Sequence, residues 1–299
     1  MKFRVISDLH IDVNHKHPYE LKDDDEKENI VTLVAGDVSG DPELDYKWLH
    51  ENTNYHGFVI AGNHIVYNDK LKTIQDLQKM EKDLFSNSDR WHFLEKEYNV
   101  LEDEKIVIFG AMLWTDYMVG HPNQERNMEA ACRTLNDCRL GFVRLEDGTL
   151  DNLMPEWCFK EHQKTLTKLD EVCKQFPDYS VIVLSHHCPG IKSINYRYYG
   201  SDCNGAYVSD LSKFIENHNN IKVWCCGHVH TPHSYDINNC KVLCNPHGYT
   251  PYNENNGWNQ NKMNFELVDG KVTMLYNEKE YAIKAFKDLP FINDIDNKF

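Results

Sequence analysis

The chain has 299 residues, 41% of them apolar and 26% charged, a globular balance that excludes intrinsic disorder and allows a full-sized core. No apolar run reaches the roughly 18 residues of a membrane-spanning helix, and the N-terminal apolar stretch is too short for a signal peptide, so a soluble cytoplasmic protein is expected. The formal charge of −15 argues against coating of nucleic acid or anionic lipid, although bound cations can reverse the field inside a single cleft.

Residues 3–7 read as a short apolar strand, residues 30–35 as a second one buried on both faces, and residues 57–61 as a third. Helices are predicted over about 43–52 and about 68–85, the latter from Leu71, Ile74, Leu77 and Leu84 at helical spacing. The charged run 22–28 reads as a solvated loop. A fourth strand is predicted over 105–109 and a polar helix over about 124–140. An amphipathic helix follows over about 156–176, with His162, Leu166, Leu169, Val172 and Phe176 inward. Strands return at 180–184 and 222–226, with a helix between them near 207–217. The last third changes character: 233–237, 241–245, 263–268 and 272–276 read as short strands joined by Asn- and Gly-rich turns. This order predicts an α/β fold, two layered sheets flanked by helices, in a single domain over 1–299.

Ten cysteines in a chain of this size without an export signal are expected to be free thiols. Cys240 and Cys244 read as strand residues, because no second Cys/His pair completes a zinc ribbon. Cys188, Cys225 and Cys226 read as buried small hydrophobes.

Five segments carry chemistry: Asp8-Leu9-His10, Gly36-Asp37, Gly62-Asn63-His64, Ser185-His186-His187 and Gly227-His228-Val229-His230. Each directly follows an apolar strand, where open α/β sheets bind ligands. In extended chain, residues i and i+2 point the same way, so Asp8 with His10, and His228 with His230, present paired ligands. Imidazole, carboxylate and amide oxygen together suit Mn, Fe, Zn or Ni better than Ca or Mg. Any one segment alone is a plausible turn or a structural histidine. All five in this order predict a metal centre.

These segments resemble the blocks of the calcineurin-like metallophosphoesterase superfamily: Asp-x-His, Gly-Asp, Gly-Asn-His, His and Gly-His-x-His. The resemblance implies a four-layer αββα sandwich of two mixed sheets holding two divalent metal ions. It implies that Asp8, His10 and His230 hold one ion, that Asp37 bridges, and that Asn63, His186 and His228 hold the other. His64 is then the non-ligand histidine beside the leaving group, acting as proton donor or as a phosphate-orienting group. Two cations about 3.5–4 Å apart that share a water lower its pKa towards neutrality, which supplies the hydroxide nucleophile. Segments 110–116, 136–139 and 245–249 resemble a bacterial and phage subgroup, in which Arg usually stands at the place of His247. The second block continues as Val38-Ser39-Gly40 and the third as Ile65, unlike the protein Ser/Thr phosphatases, so protein phosphatase activity is disfavoured.

The expected activity is phosphodiester hydrolysis of a nucleotide or another small phosphoester, with manganese the expected metal in vitro. A phosphomonoesterase or nucleotide pyrophosphatase with the same site stands close behind, and a nuclease or a non-catalytic scaffold further off. Candidate substrate contacts are Arg139, Tyr198 and His247. Tyr198 lies in Asn195-Tyr196-Arg197-Tyr198-Tyr199, which either offers a cation and aromatic faces to a nucleobase or packs its aromatics inward as a surface loop.

Overall fold

The computed structural model describes residues 1–14, 21, 29–68, 71–254 and 258–276, so the charged run 22–28 lies outside the described residues. The first sheet begins with β1 (Lys2–Ile6), β2 (Val31–Val34), β3 (His56–Val59) and β4 (Trp91–Phe93), all parallel. The second begins with an antiparallel pair, β5 (Glu97–Leu101) and β6 (Ile106–Ala111). β7 (Phe142–Arg144) and β8 (Leu150–Asn152) form a separate hairpin. The second sheet is completed by β9 (Ser180–Ser185), β10 (Ile221–Cys226), β11 (His233–Ile237) and β12 (Cys240–Cys244). β13 (Phe265–Val268) and β14 (Lys271–Met274) return to the first sheet beside β1.

The sheet orders are β14-β13-β1-β2-β3-β4 and β11-β12-β10-β9-β6-β5, each a parallel centre, with antiparallel strands at one edge of the first sheet and at both edges of the second. Side chains alternate across each strand. Phe3, Val5, Leu33 and Phe58 of the first sheet meet Ile108, Ile182, Leu184, Val223, Cys225 and Leu243 of the second in one apolar layer. The opposite faces bury Val34 and Val59 on one side, and Val183, Trp224 and Cys226 on the other, beneath helices. The expected four-layer αββα sandwich is therefore the fold.

Helices α1 (Pro42–Asn52) and α2 (Ile74–Phe85) cover the first sheet. α1 starts at Asp41, whose carboxylate accepts from the amides of Glu43 and Leu44. α2 starts later than predicted, because Thr73 and Asp76 form a capping box, and Leu71 lies before it, 95% exposed rather than inward. The polar helix predicted at 124–140 is broken into α3 (Gln124–Thr134) and α4 (Asp137–Leu140) by extended backbone at Leu135. This break brings Cys132 and Cys138 to a Cα separation of 5.3 Å, where they form a disulfide against the expectation of free thiols; the other eight cysteines are free. α5 (Pro155–Gln175) matches its predicted amphipathic pattern, and His162 is buried with Nδ1 3.2 Å from the carbonyls of Leu113 and Trp114. The helix predicted at 207–217 is only α6 (Ser212–Glu216). Its first residues instead pair with the segment after β9, Ser209 N donating to Cys188 O and Leu211 N to Pro189 O. No helix among the described residues is long and apolar enough to cross a membrane.

Between α1 and α2 two buried carboxyl groups, Asp45 and Glu81, hydrogen-bond to each other. Burial pushes Asp45 up to about 8, against the opposing bond from Ser39, and raises Glu81 as well. A folded-state pKa raised above the unfolded value gives stability that is complete below the ordinary carboxylate range and lost as pH rises through the folded pKa. The melting temperature should therefore fall between about pH 5 and about pH 9, and Glu81→Gln, which cannot ionise, should flatten that fall. Thermal melts of both proteins across this range check it; parallel curves would exclude a shared proton.

Candidate metal centre

The parallel strands of both sheets deliver their carboxyl ends to one rim. Asp8 follows β1, Asp37 follows β2, Asn63 follows β3, His186 follows β9 and His228 follows β10. The rim loops continue as a backbone lattice, Asp8 N bonding Gly36 O, His10 N bonding Asp37 O and Gly227 N bonding His186 O. The glycines make this spacing possible. A Cβ at Gly62 would lie 1.9 Å from Asp37 Oδ1, and Gly36 (φ +86°) would place one 2.7 Å from His186 Nδ1. Asp8, His10, Asp37, His228 and His230 all have left-handed backbone, with φ of 53°, 44°, 53°, 70° and 46°. Such conformations cost about 1–3 kcal/mol each and persist where surrounding structure over-determines them.

Asp8 ties the two sheets together: its carboxylate accepts from Ser7 Oγ (2.5 Å) and from the backbone N–H of His228 (2.9 and 3.1 Å). His230 Nε2 lies 3.4 Å from Asp8 Oδ1 and 2.9 Å from His10 Nε2. Asp37, fully buried, has Oδ2 3.3 Å from His186 Nε2 and 4.0 Å from His10 Nε2, while its Oδ1 accepts from His64 N (3.1 Å). His186 Nδ1 donates to Ala35 O (2.9 Å), which turns its Nε2 to Asn63 Oδ1 at 3.0 Å. Asn63 is oriented by its amide, which donates to Tyr67 Oη (2.9 Å) and Asp137 Oδ1 (3.0 Å).

Ligand atoms of Asp8, His10 and His230, of His10, Asp37 and His64, and of Asp8, Asp37 and His186 each lie within 4.8 Å of one another. Asp8 and Asp37 each belong to two of these groups, which join them into one cluster. Asn63 adjoins through His186, and the His228 ring centroid lies 5.0 Å from that of His186. The donor set fits divalent cations on its own terms. Among the described residues, the buried His10 Nδ1 and His228 Nε2 have no hydrogen-bond partner. A cation would give both nitrogens a partner and could take the place of the protons on His186 and His230.

Electrostatics agree. Burial opposes charge on His186 and His230, yet Asp37 and Asp8 hold His186 up at about 9, and Asp8 and Glu254 hold His230 up at about 10. Asp37 is held well below the carboxylate range: burial raises it, but His186, His64 and His10 outweigh that. Burial and neighbouring imidazoles push His10 and His228 down, leaving their nitrogens as neutral donors. His186 and His230 thus balance the charge of the two carboxylates, with the neutral nitrogens of His10 and His228 beside them.

His64 sits beside the cluster, its ring centroid 4.4 Å from that of His10 and its Nε2 2.8 Å from Tyr249 Oη. Of the candidate substrate contacts, Tyr198 is exposed, and its neighbour Tyr207 stacks on His228 at 4.7 Å. Arg139 is exposed and donates to Asn136. His247 is buried, packed 4.9 Å from Trp258, with Nδ1 2.9 Å from Gly248 O. Sequence reasoning missed Glu254, whose Oε2 lies 2.6 Å from His230 Nδ1, and also Tyr67, Tyr207 and Tyr249. None of them stands in a strand-end block; Tyr249 lies in the singled-out segment 245–249, but nothing local marked Glu254, Tyr67 or Tyr207.

A two-sheet sandwich with clustered carboxylates and imidazoles at one rim is the architecture of a metal-dependent phosphoester hydrolase. Residues 1–232 match the family model described as calcineurin-like phosphoesterase, and the chain belongs to that family. The chain is similar to a solved phosphopantetheinyl hydrolase from Mycobacterium tuberculosis, with 14% identity, TM-score 0.65, and 94% of this chain and 98% of that one covered. A looser likeness, 13% identical with TM-score 0.43, covers 92% of this chain and 48% of the NAD nucleotidase of Haemophilus influenzae. No curated protein matches the sequence. The chain is a metallophosphoesterase, a hydrolase acting on phosphoric ester bonds.

Gly62→Ala should strip the centre of metal, because its methyl collides with the carboxylate of Asp37. Metal analysis of the purified variant, with circular dichroism to confirm folding, checks this; full retention of metal would overturn the crowding argument.

Proposed function

We propose that this chain is a single metallophosphoesterase domain that hydrolyses a phosphodiester of a nucleotide or another small organic phosphate. The observation that carries this is the sharing of Asp8 and Asp37 between neighbouring ligand groups, with His64 alongside. Asp8, His10 and His230 would hold one cation, Asn63, His186 and His228 the other, with Asp37 between them. When bound, the two cations supply Lewis acidity to the phosphoryl oxygens and lower the pKa of a water towards neutrality. Manganese is the first metal to try, since nitrogen and oxygen donors together accept it.

The chain's own residues do the rest. Asn63 contributes a neutral oxygen, which keeps the cluster from becoming too negative for an anionic substrate. Asp137 and Tyr67 fix the direction of that oxygen, as Glu254 fixes His230. His64, hydrogen-bonded to Tyr249, donates a proton to the departing alkoxide, a poor leaving group that needs one. That need favours a diester or alkyl ester. Tyr198, Tyr207 and Tyr249 offer aromatic faces to an organic group, and the net charge of −15 disfavours long polyanions.

Rates on bis-p-nitrophenyl phosphate against p-nitrophenyl phosphate with Mn²⁺ test the diester preference; faster turnover of the monoester overturns it. Nucleotides, cyclic nucleotides, dinucleotides and a phosphopantetheinyl ester then form the substrate panel. His64→Ala should lower kcat on alkyl esters by at least about 100-fold with metal content kept. Unchanged turnover in that variant removes His64 from the proton-donor role.

A further inference from the structure

The ends of the second sheet carry another cluster, on the face turned away from the other sheet. Parallel register sets Cys226 of β10 beside Cys244 of β12, and antiparallel register sets His233 of β11 beside Cys244. Cys188 follows β9, fixed by the backbone bond from its N–H to Tyr207 O (3.2 Å) and by pairing with Val208. One ligand atom from each of Cys188, Cys226, Cys244 and His233 lies within 4.8 Å of all the others. All four side chains are buried, the cysteines at 0% exposure and His233 at 2%.

The imidazole is set for coordination. His233 Nδ1 donates to Thr231 O at 2.9 Å, which leaves the lone pair on Nε2. That Nε2 points to Cys226 Sγ at 3.8 Å and also accepts from Ser193 Oγ at 3.0 Å. Ser193 has a second partner in Tyr235 Oη at 2.8 Å, so its hydroxyl can turn away without becoming orphaned. A tetrahedral Cys3His zinc ion with Zn–S of about 2.3 Å and Zn–N of about 2.0–2.1 Å has S–S edges of about 3.8 Å and S–N edges of about 3.5 Å. The Cys226–His233 edge, 3.8 Å, is already close to the S–N figure, and the 4.8 Å bound on the other edges leaves at most about 1 Å of contraction. A disulfide would use two of the three sulfurs and leave the third thiol and the imidazole unexplained. Packing alone would not require a buried histidine whose Nε2, shared with a hydroxyl that has another partner, lies within 4.8 Å of three sulfurs.

We propose that Cys188, Cys226, Cys244 and His233 form a closed Cys3His site for a structural zinc ion, separate from the phosphoesterase centre. On binding, the three thiols release their protons to solvent and donate sulfur lone pairs to the metal, with no change in oxidation state. The site braces the catalytic rim from behind. Cys188 lies two residues after His186, Cys226 two before His228, and His233 three after His230. The loop bearing the last two histidines is thereby held at both ends.

Cobalt(II) loaded into the full chain provides the test, because the phosphoesterase cluster holds no sulfur. We expect thiolate-to-cobalt charge transfer in the near ultraviolet, retained in Asp37→Asn and lost in Cys226→Ser/Cys244→Ser. Should the double variant fail to fold, X-ray absorption at the zinc edge of the Asp37→Asn protein decides, with sulfur expected at about 2.3 Å. Zinc surrounded only by nitrogen and oxygen overturns the proposal. So does absence of charge transfer in cobalt-saturated protein, or a disulfide among the three cysteines in non-reducing peptide mapping. Loss of phosphoesterase activity alone leaves these readouts untouched, so the two readings fail separately.

Discussion

Two carboxylates held almost entirely out of water, Asp8 and Asp37, set the terms for the rest of the molecule. A buried carboxylate without compensation carries a penalty of several kcal/mol, and it is tolerated only where amides, imidazoles or cations surround it. Asp8 finds its compensation across the sandwich, from the His228 amide on the opposite sheet. Asp37 finds it from His186, His10 and the His64 amide. Register, rim glycines and left-handed backbone at five of these positions all serve to bring the two charges and their partners into contact.

Around this centre, a ring of residues fixes the direction in which each donor points. Asp137 and Tyr67 turn the Asn63 amide so that its oxygen faces inward, and Glu254 holds His230. The interruption of helix at Leu135 has a structural purpose in this light. A continuous helix over 124–140 would not put Asp137 in the position that α4 gives it, against Asn63. Burial raises Asp137 from its ordinary carboxylate value, against the bond from Asn63.

The strand ends of the second sheet serve two layers at once because a strand's side chains alternate. Cys225 packs in the apolar layer between the sheets, while Cys226 turns to the helix side and His228, past the strand end, reaches the rim. Chemistry and packing thus occupy adjacent residues, and the cysteines grouped behind the rim lie within a few residues of the histidines in front of it.

Composition, apolar runs and the five strand-end blocks fixed the α/β class, the sandwich and the residues that gather at the rim. They could do so because buried parallel strands are continuous apolar runs, and because catalytic blocks sit where those runs stop. Helix ends were less legible: α2 depends on a capping box at Thr73, and the segment from 207 is claimed by pairing with Cys188. Short strands such as β4 and β7 carry too few residues for a period to show. Glu254, Tyr249 and Asp137 owe their places to contacts spanning 24 to 185 residues of chain, which no local pattern encodes. The same holds for Cys188, Cys226, His233 and Cys244: spacing along the chain shows no ribbon, and only the lateral register of four strands sets them side by side.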